Sequence, residues 1–248
     1  MTVLVLHLFL PVFLYSLLTL AAALCFQLPP LVSTMIGAAV FCLLSFPVYR
    51  WEQLMRGQQP VGFRFSGCLP FILILGIGSC LAVNNIITIT PIPQLFPGYS
   101  QVADAIYATP FAVQFAGSVL VIPAAEELVF RGLMFAPLRD KLPFWPSAIV
   151  SAVMFGVYHG NVLQGIYAFI LGIAMAWLYE QFHSIAAPYL YHMAANFISI
   201  LVVNTGLVIL NDTGHRVVFL LTMAVSVVSC VFCIARIREK VNLKEEEM

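Results

Sequence analysis

Long apolar runs separated by short polar interruptions set the pattern of this chain. A membrane-spanning helix needs about 20 mostly apolar residues. At that length the sequence holds candidates at about 3–26, 31–48, 68–89, 110–138, 146–159, 162–179, 186–210 and 217–234. Pro29-Pro30 stops the first, and Pro91, Pro93, Pro97 and Gly98 make 90–99 an irregular connection, with polar 100–104 leading into the fourth. Pro123 predicts a kink in that fourth span, one turn before a pair of glutamates. The expected fold is all-α, a polytopic membrane helical bundle of about eight transmembrane helices.

Composition agrees with the pattern. The chain has 248 residues, 62% hydrophobic and 9% charged, where a soluble domain carries about 25% charged residues. Its formal net charge is zero, and it has no basic tract or Gly-rich phosphate loop, so no nucleic-acid partner is expected. Membrane lipids are the expected surroundings. Cys25, Cys42, Cys68, Cys80, Cys230 and Cys233 all fall in or beside apolar runs, where a thiol packs as a small hydrophobe. The C-x-x-C at Cys230 and Cys233 lacks the βαβ setting of a redox site. No basic region or small-residue cleavage site marks the N-terminus as a signal peptide, so the first span is read as retained.

Lys and Arg in the short connections predict orientation. Arg50, Arg56 and Arg64 follow span two, Arg139 and Lys141 follow span four, and Arg236, Arg238, Lys240 and Lys244 follow span eight. The alternate connections hold only Arg216. Eight spans with both termini in the cytoplasm of a cell-membrane protein satisfy this bias.

Against that apolar background, Glu126, Glu127 and Arg131 need a reason. An unpaired acidic side chain at the bilayer centre costs at least about 2.5–3.5 kcal/mol, so such residues are rare and mostly functional. Glu127 and Arg131 are spaced as an intrahelical ion pair. Glu126 lies about 100° round the helix with no basic residue one turn away, so its partner must come from another helix. His159 ends the fifth span one turn after Phe155, and His192 shares a face of the seventh with Asn196. At 1.5 Å per residue Glu126 and His159 sit roughly 20 Å deep and His192 roughly 10 Å. A shared layer therefore requires the seventh helix to begin earlier or the others to tilt. His7, His183 and His215 lie near span ends and carry no chemistry in this reading.

Glu126-Glu127-x-x-x-Arg131, Phe155-x-x-x-His159 and His192-x-x-x-Asn196, in that order on an eight-helix chain, resemble the CPBP intramembrane protease family. That family includes the CAAX prenyl endopeptidases of the Ras-converting type and Abi-like members. The likeness covers about residues 110–203. It divides the chain into N-terminal helices and a proline-rich loop (1–109), a catalytic core (110–210) and a last helix with a charged cytoplasmic tail (211–248). Hydrolysis needs a base for the attacking water and donors for the oxyanion. Glu126 is the candidate base, sharing the water with His159. The resemblance implies that His192 and Asn196 bind the scissile carbonyl, with Glu127, Arg131 and Phe155 in support, and that the substrate is a peptide or a lipidated protein.

Glu126, His159 and His192 also have the composition of a two-histidine, one-carboxylate zinc site. The H-E-x-x-H signature is absent, and Glu126 as a ligand leaves no carboxylate as base, so the metal-free reading is preferred. Two other functions compete. A proton-coupled transporter would use the same Glu and His as a relay. A non-catalytic membrane protein such as a bacteriocin self-immunity factor is a role the resemblance also implies for some members.

Overall fold

A computed structural model describes residues 2–58, 67–91, 95–96, 104, 106–206 and 216–246, leaving aside the side chains of 2, 3 and 244–246. Arg64, most of the proline-rich connection, residues 207–210 of the expected seventh span and His215 lie outside the described residues, as does the side chain of Lys244. Among the described residues the chain forms eight helices and no strand. They are α1 (Thr2–Phe26), α2 (Pro30–Met55), α3 (Leu69–Thr88), α4 (111–139), α5 (Phe144–Tyr158), α6 (Val162–Phe182), α7 (Ala186–Asn204) and α8 (Arg216–Glu246).

Six of these are long and apolar enough to cross a membrane, namely α1, α2, α3, α6, α7 and α8. The expected fifth span is a shorter apolar helix of 15 residues, about 22 Å long, against a hydrocarbon core of about 30 Å. Two helices outrun their apolar stretches. α2 continues through Arg50 to Met55 because Tyr49 and Gln53 are buried on its inner face, and α8 continues to Glu246 with Ile237 buried.

α4 is the helix the others surround, with α1, α2, α5, α6 and α7 packed against it. α8 packs chiefly on α3 and turns Leu220, Leu221, Val225 and Val228 outward, the face expected of a lipid-contacting helix. α3 and α7 meet closely at Gly76, where an added Cβ would strike the backbone of Tyr191. α5 and α6 cross at Gly156 and Gly165, each lying against the other's carbonyl.

The kink expected at Pro123 takes the form of a change in helical pitch. α4 alternates between α and π bonding, with π-helical stretches at Phe115–Val121 and Leu128–Phe135. Each π stretch ends two residues before a proline, Pro123 or Pro137. The cause is the missing proline N–H and the clash of its ring with the carbonyl four residues back. Ile122 N–H bonds Gly117 O and Ala136 N–H bonds Arg131 O, each reaching five residues back.

This arrangement leaves carbonyls that other helices must satisfy, because lipid offers no donor. The π partner of Ser118 O would be Pro123, which has no N–H, and Asn196 Nδ2 donates there instead at 2.8 Å. The α partner of Leu133 O would be Pro137, and His7 Nδ1–H donates there at 3.0 Å. Tyr189 OH donates to Leu120 O at 3.1 Å and Ser151 Oγ to Phe130 O at 2.8 Å. Four polar side chains from three helices, α1, α5 and α7, thus pin the π stretches of α4 in place.

Candidate active site

The α-helical turn between the two π stretches, Ile122–Glu127, carries the glutamates. Both are buried, Glu127 completely and Glu126 to within 6%. The expected ion pair forms, with Arg131 Nη1 donating to Glu127 Oε1 at 3.1 Å and both side chains fully buried. Arg131 also donates from Nη2 to Gly172 O at 3.1 Å and lies 4.6 Å from the Phe155 ring centroid. A guanidinium so placed fixes α4 against α5 and α6 through a hydrogen bond and a cation–π contact.

Glu127 has a second partner that spacing did not reveal. His192 Nδ1–H donates to the same Oε1 at 2.8 Å. The other ring nitrogen, Nε2, faces Glu126 Oε2 at 3.7 Å, so the carboxylate that lacks a partner on its own helix meets α7. Holding Nδ1 fixes the ring and its orientation, which is the usual way a second group sets the useful nitrogen of a histidine.

His159 follows α5 as its C-terminal cap, and its Nδ1–H donates to Phe155 O at 2.8 Å. A carbonyl only accepts, so the proton sits on Nδ1 and Nε2 keeps its lone pair. Phe155 separates the two histidines, its ring edge-on to His159 at 4.8 Å and to His192 at 5.8 Å between centroids. Glu126 interacts electrostatically with His192 and His159 together.

The mismatch in depth is resolved by where α7 begins. Ile185, just before α7, packs against Gly132 together with the Tyr49 ring. Gly132 lies roughly 10 Å inward from the end of α4. Counting inward from that level, His192 and Glu127 fall in one layer. Polar contacts with α2 seat the turn at this depth: Gln53 Nε2 donates to His183 O at 3.3 Å and Ile185 N–H to Tyr49 OH at 3.3 Å, with Tyr49 and Gln53 also bonded to each other. His183 takes the left-handed conformation that ends α6, with φ 48°.

Glu126, His159, His192 and Asn196 all line one cavity of about 500 Å³, with Phe155 in its wall. Glu127 and Arg131 stay behind the wall. Asn196 lines the cavity while giving one amide hydrogen to Ser118 O, which leaves its other N–H and its Oδ1 unassigned. Gln164 and Ser199 line it too, and neither side chain was singled out by the motifs. The signal for the carbonyl-pinning residues was present in Pro123 and Pro137, since each proline in an intramembrane helix calls for a polar side chain on a neighbour.

The zinc reading was tested on the donor set. Among the described residues no three His, Cys, Asp or Glu side chains stand close enough to share one ion. As placed, the described residues do not form a metal site.

An all-helical membrane protein with a Glu–His–His–Asn cavity closed off from a buried Glu–Arg pair is the class this fold and site define. Residues 108–198 match the family model described as Type II CAAX prenyl endopeptidase Rce1-like. The Putative membrane peptidase YdiL of Bacillus subtilis (strain 168) is 28% identical over 166 residues, which cover 66% of this chain and 67% of that protein. No solved structure gives a significant match. Both of these similarities are to peptidases, the second a membrane peptidase.

Proposed function

We propose that this chain is an intramembrane endopeptidase in which Glu126 is the general base, acting on a water held between Glu126 and His159. The observation that carries this reading is the convergence of Glu126, His159, His192 and Asn196 on one cavity. Two different helices and the cap of a third contribute them, and chance polar residues in lipid have no reason to share a space.

The cycle follows from the hydrogen-bond roles. Water attacks the scissile carbonyl carbon as Glu126 takes its proton, while the lone pair on His159 Nε2 accepts the second water hydrogen and orients the attack. The tetrahedral oxyanion is met by the spare Nδ2–H of Asn196 and by Nε2–H of His192, an imidazolium that keeps both ring protons throughout the cycle. Glu127 holds Nδ1–H and offsets the imidazolium charge. Glu126 then returns its proton to the leaving amine, the C–N bond breaks, and a carboxyl and an amine leave the site.

The substrate in this reading is a membrane-associated peptide or protein, and a lipidated tail remains one member of that class. The charge bias supports both termini in the cytoplasm of the cell membrane. Comparing the membrane proteome of cells carrying the native chain with cells carrying Glu126→Gln or His159→Ala tests the proposal. New uncleaved membrane proteins in both variants support it, and identical peptide ends in all three refute it.

A further inference from the structure

The walls of the cavity are not shared evenly between the two ends of the bundle. Thr34 comes from near the start of α2, Thr88 from the end of α3, Gln164 from the first turn of α6 and Ile200 from the last turns of α7. Glu126, Met175 and His192 stand near the middles of their helices and form the floor. No wall residue among those described belongs to the opposite helix ends. Those ends carry Arg50, Arg56, Arg139, Lys141, Arg236, Arg238 and Lys240, whereas on the side of the mouth the sequence places only Arg216.

Polar groups with spare capacity extend from floor to mouth. Beyond Asn196, Ser199 stands one turn further along α7, and Gln164 stands on α6 with its backbone N–H held by Asn161 Oδ1 at 3.2 Å. The side chains of Gln164 and Ser199 make no hydrogen bond to another described residue, yet both border the cavity. A chain descending in extended form must satisfy its N–H and C=O groups away from bulk water, and a carboxamide supplies a donor and an acceptor together.

Lys and Arg mark the cytoplasmic ends of short connections. We infer that the cavity opens away from the cytoplasm, so that the substrate is the extracytoplasmic juxtamembrane or membrane-inserted segment of a protein or peptide. A cytoplasmic C-terminal tail would meet the closed, basic end of the bundle. The word substrate rests on the peptidase reading, while the direction of the mouth stands on topology and charge alone.

The test is labelling of single cysteines in intact cells with a membrane-impermeant maleimide, in a chain whose six native cysteines are replaced by serine or alanine. Gln164→Cys is expected to label in intact cells, and Lys141→Cys only after permeabilisation. Gln164→Cys protected in intact cells, or Lys141→Cys labelled there, overturns the inference. A second measurement needs no cysteine replacement: C-terminal fusions to green fluorescent protein and to alkaline phosphatase are expected to be fluorescent and inactive respectively. Active phosphatase overturns the orientation. Neither readout requires proteolysis, so labelling as expected in a chain with no cleavage activity removes the peptidase reading alone, and cleavage with reversed labelling removes the sidedness alone.

Discussion

Glu126 and Glu127 are neighbours with the same charge and opposite surroundings. Glu127 is sealed, with its Oε1 accepting from Arg131 and His192 and no surface exposed. Glu126 is also buried but borders the cavity, and its nearest ring nitrogen, His192 Nε2, stands at 3.7 Å, beyond hydrogen-bond reach. The difference assigns them different work. A carboxylate held in two charge-assisted hydrogen bonds fixes geometry, and one left facing the cavity is free to move a proton.

The comparison breaks most visibly through Glu127. Glu127→Ala leaves Arg131 buried without its counter-charge, and removing one partner of such a pair costs about 3–5 kcal/mol. Thermal unfolding in detergent should show that loss. Replacing both partners, Glu127→Leu with Arg131→Met, should restore much of the stability without restoring cleavage, because His192 still lacks the acceptor for Nδ1–H. Recovered cleavage in that double variant would mean that Glu127 does nothing for His192.

Asn196→Ala separates two roles of one side chain. Loss of an oxyanion donor lowers the rate by about 10²–10³, whereas loss of the bond to Ser118 O should cost only about 0.6 kcal/mol in stability. A variant that is slightly less stable and cleaves at the native rate would confine Asn196 to pinning α4. His7→Leu removes the bond to Leu133 O and the 3.8 Å contact of Nε2 with Glu52 Oε1, so a loss of stability of about 0.6 kcal/mol for the hydrogen bond, with unchanged kcat, is expected. Smallest of all is the effect of a chelator. Cleavage should survive it, and activity lost to chelation and restored by zinc would require the donor groups to rearrange around an ion.

The hydrophobic pattern made the bundle readable, because spans announce themselves by length and every backbone group in lipid must be paired within a helix. Its ends were less readable. α2 and α8 run past their apolar stretches on buried positions such as Gln53 and Ile237, which a count of apolar residues passes over. The three motifs named the residues that face one cavity, yet the depth of His192 was not legible. That depth is set by contacts of Tyr49 and Gln53 with the turn before α7, between residues more than a hundred positions apart. His7, a span-end histidine without chemistry in the sequence, gains a structural task only when the proline-orphaned carbonyl of Leu133 is located in space.

The most direct measurement sets Glu126→Gln beside Glu127→Gln in the same membrane, recording thermal stability and substrate cleavage for each. The account predicts that Glu126→Gln keeps native stability and loses cleavage by about 10²–10⁴, while Glu127→Gln loses stability along with activity. Cleavage by Glu126→Gln at the native rate would contradict it.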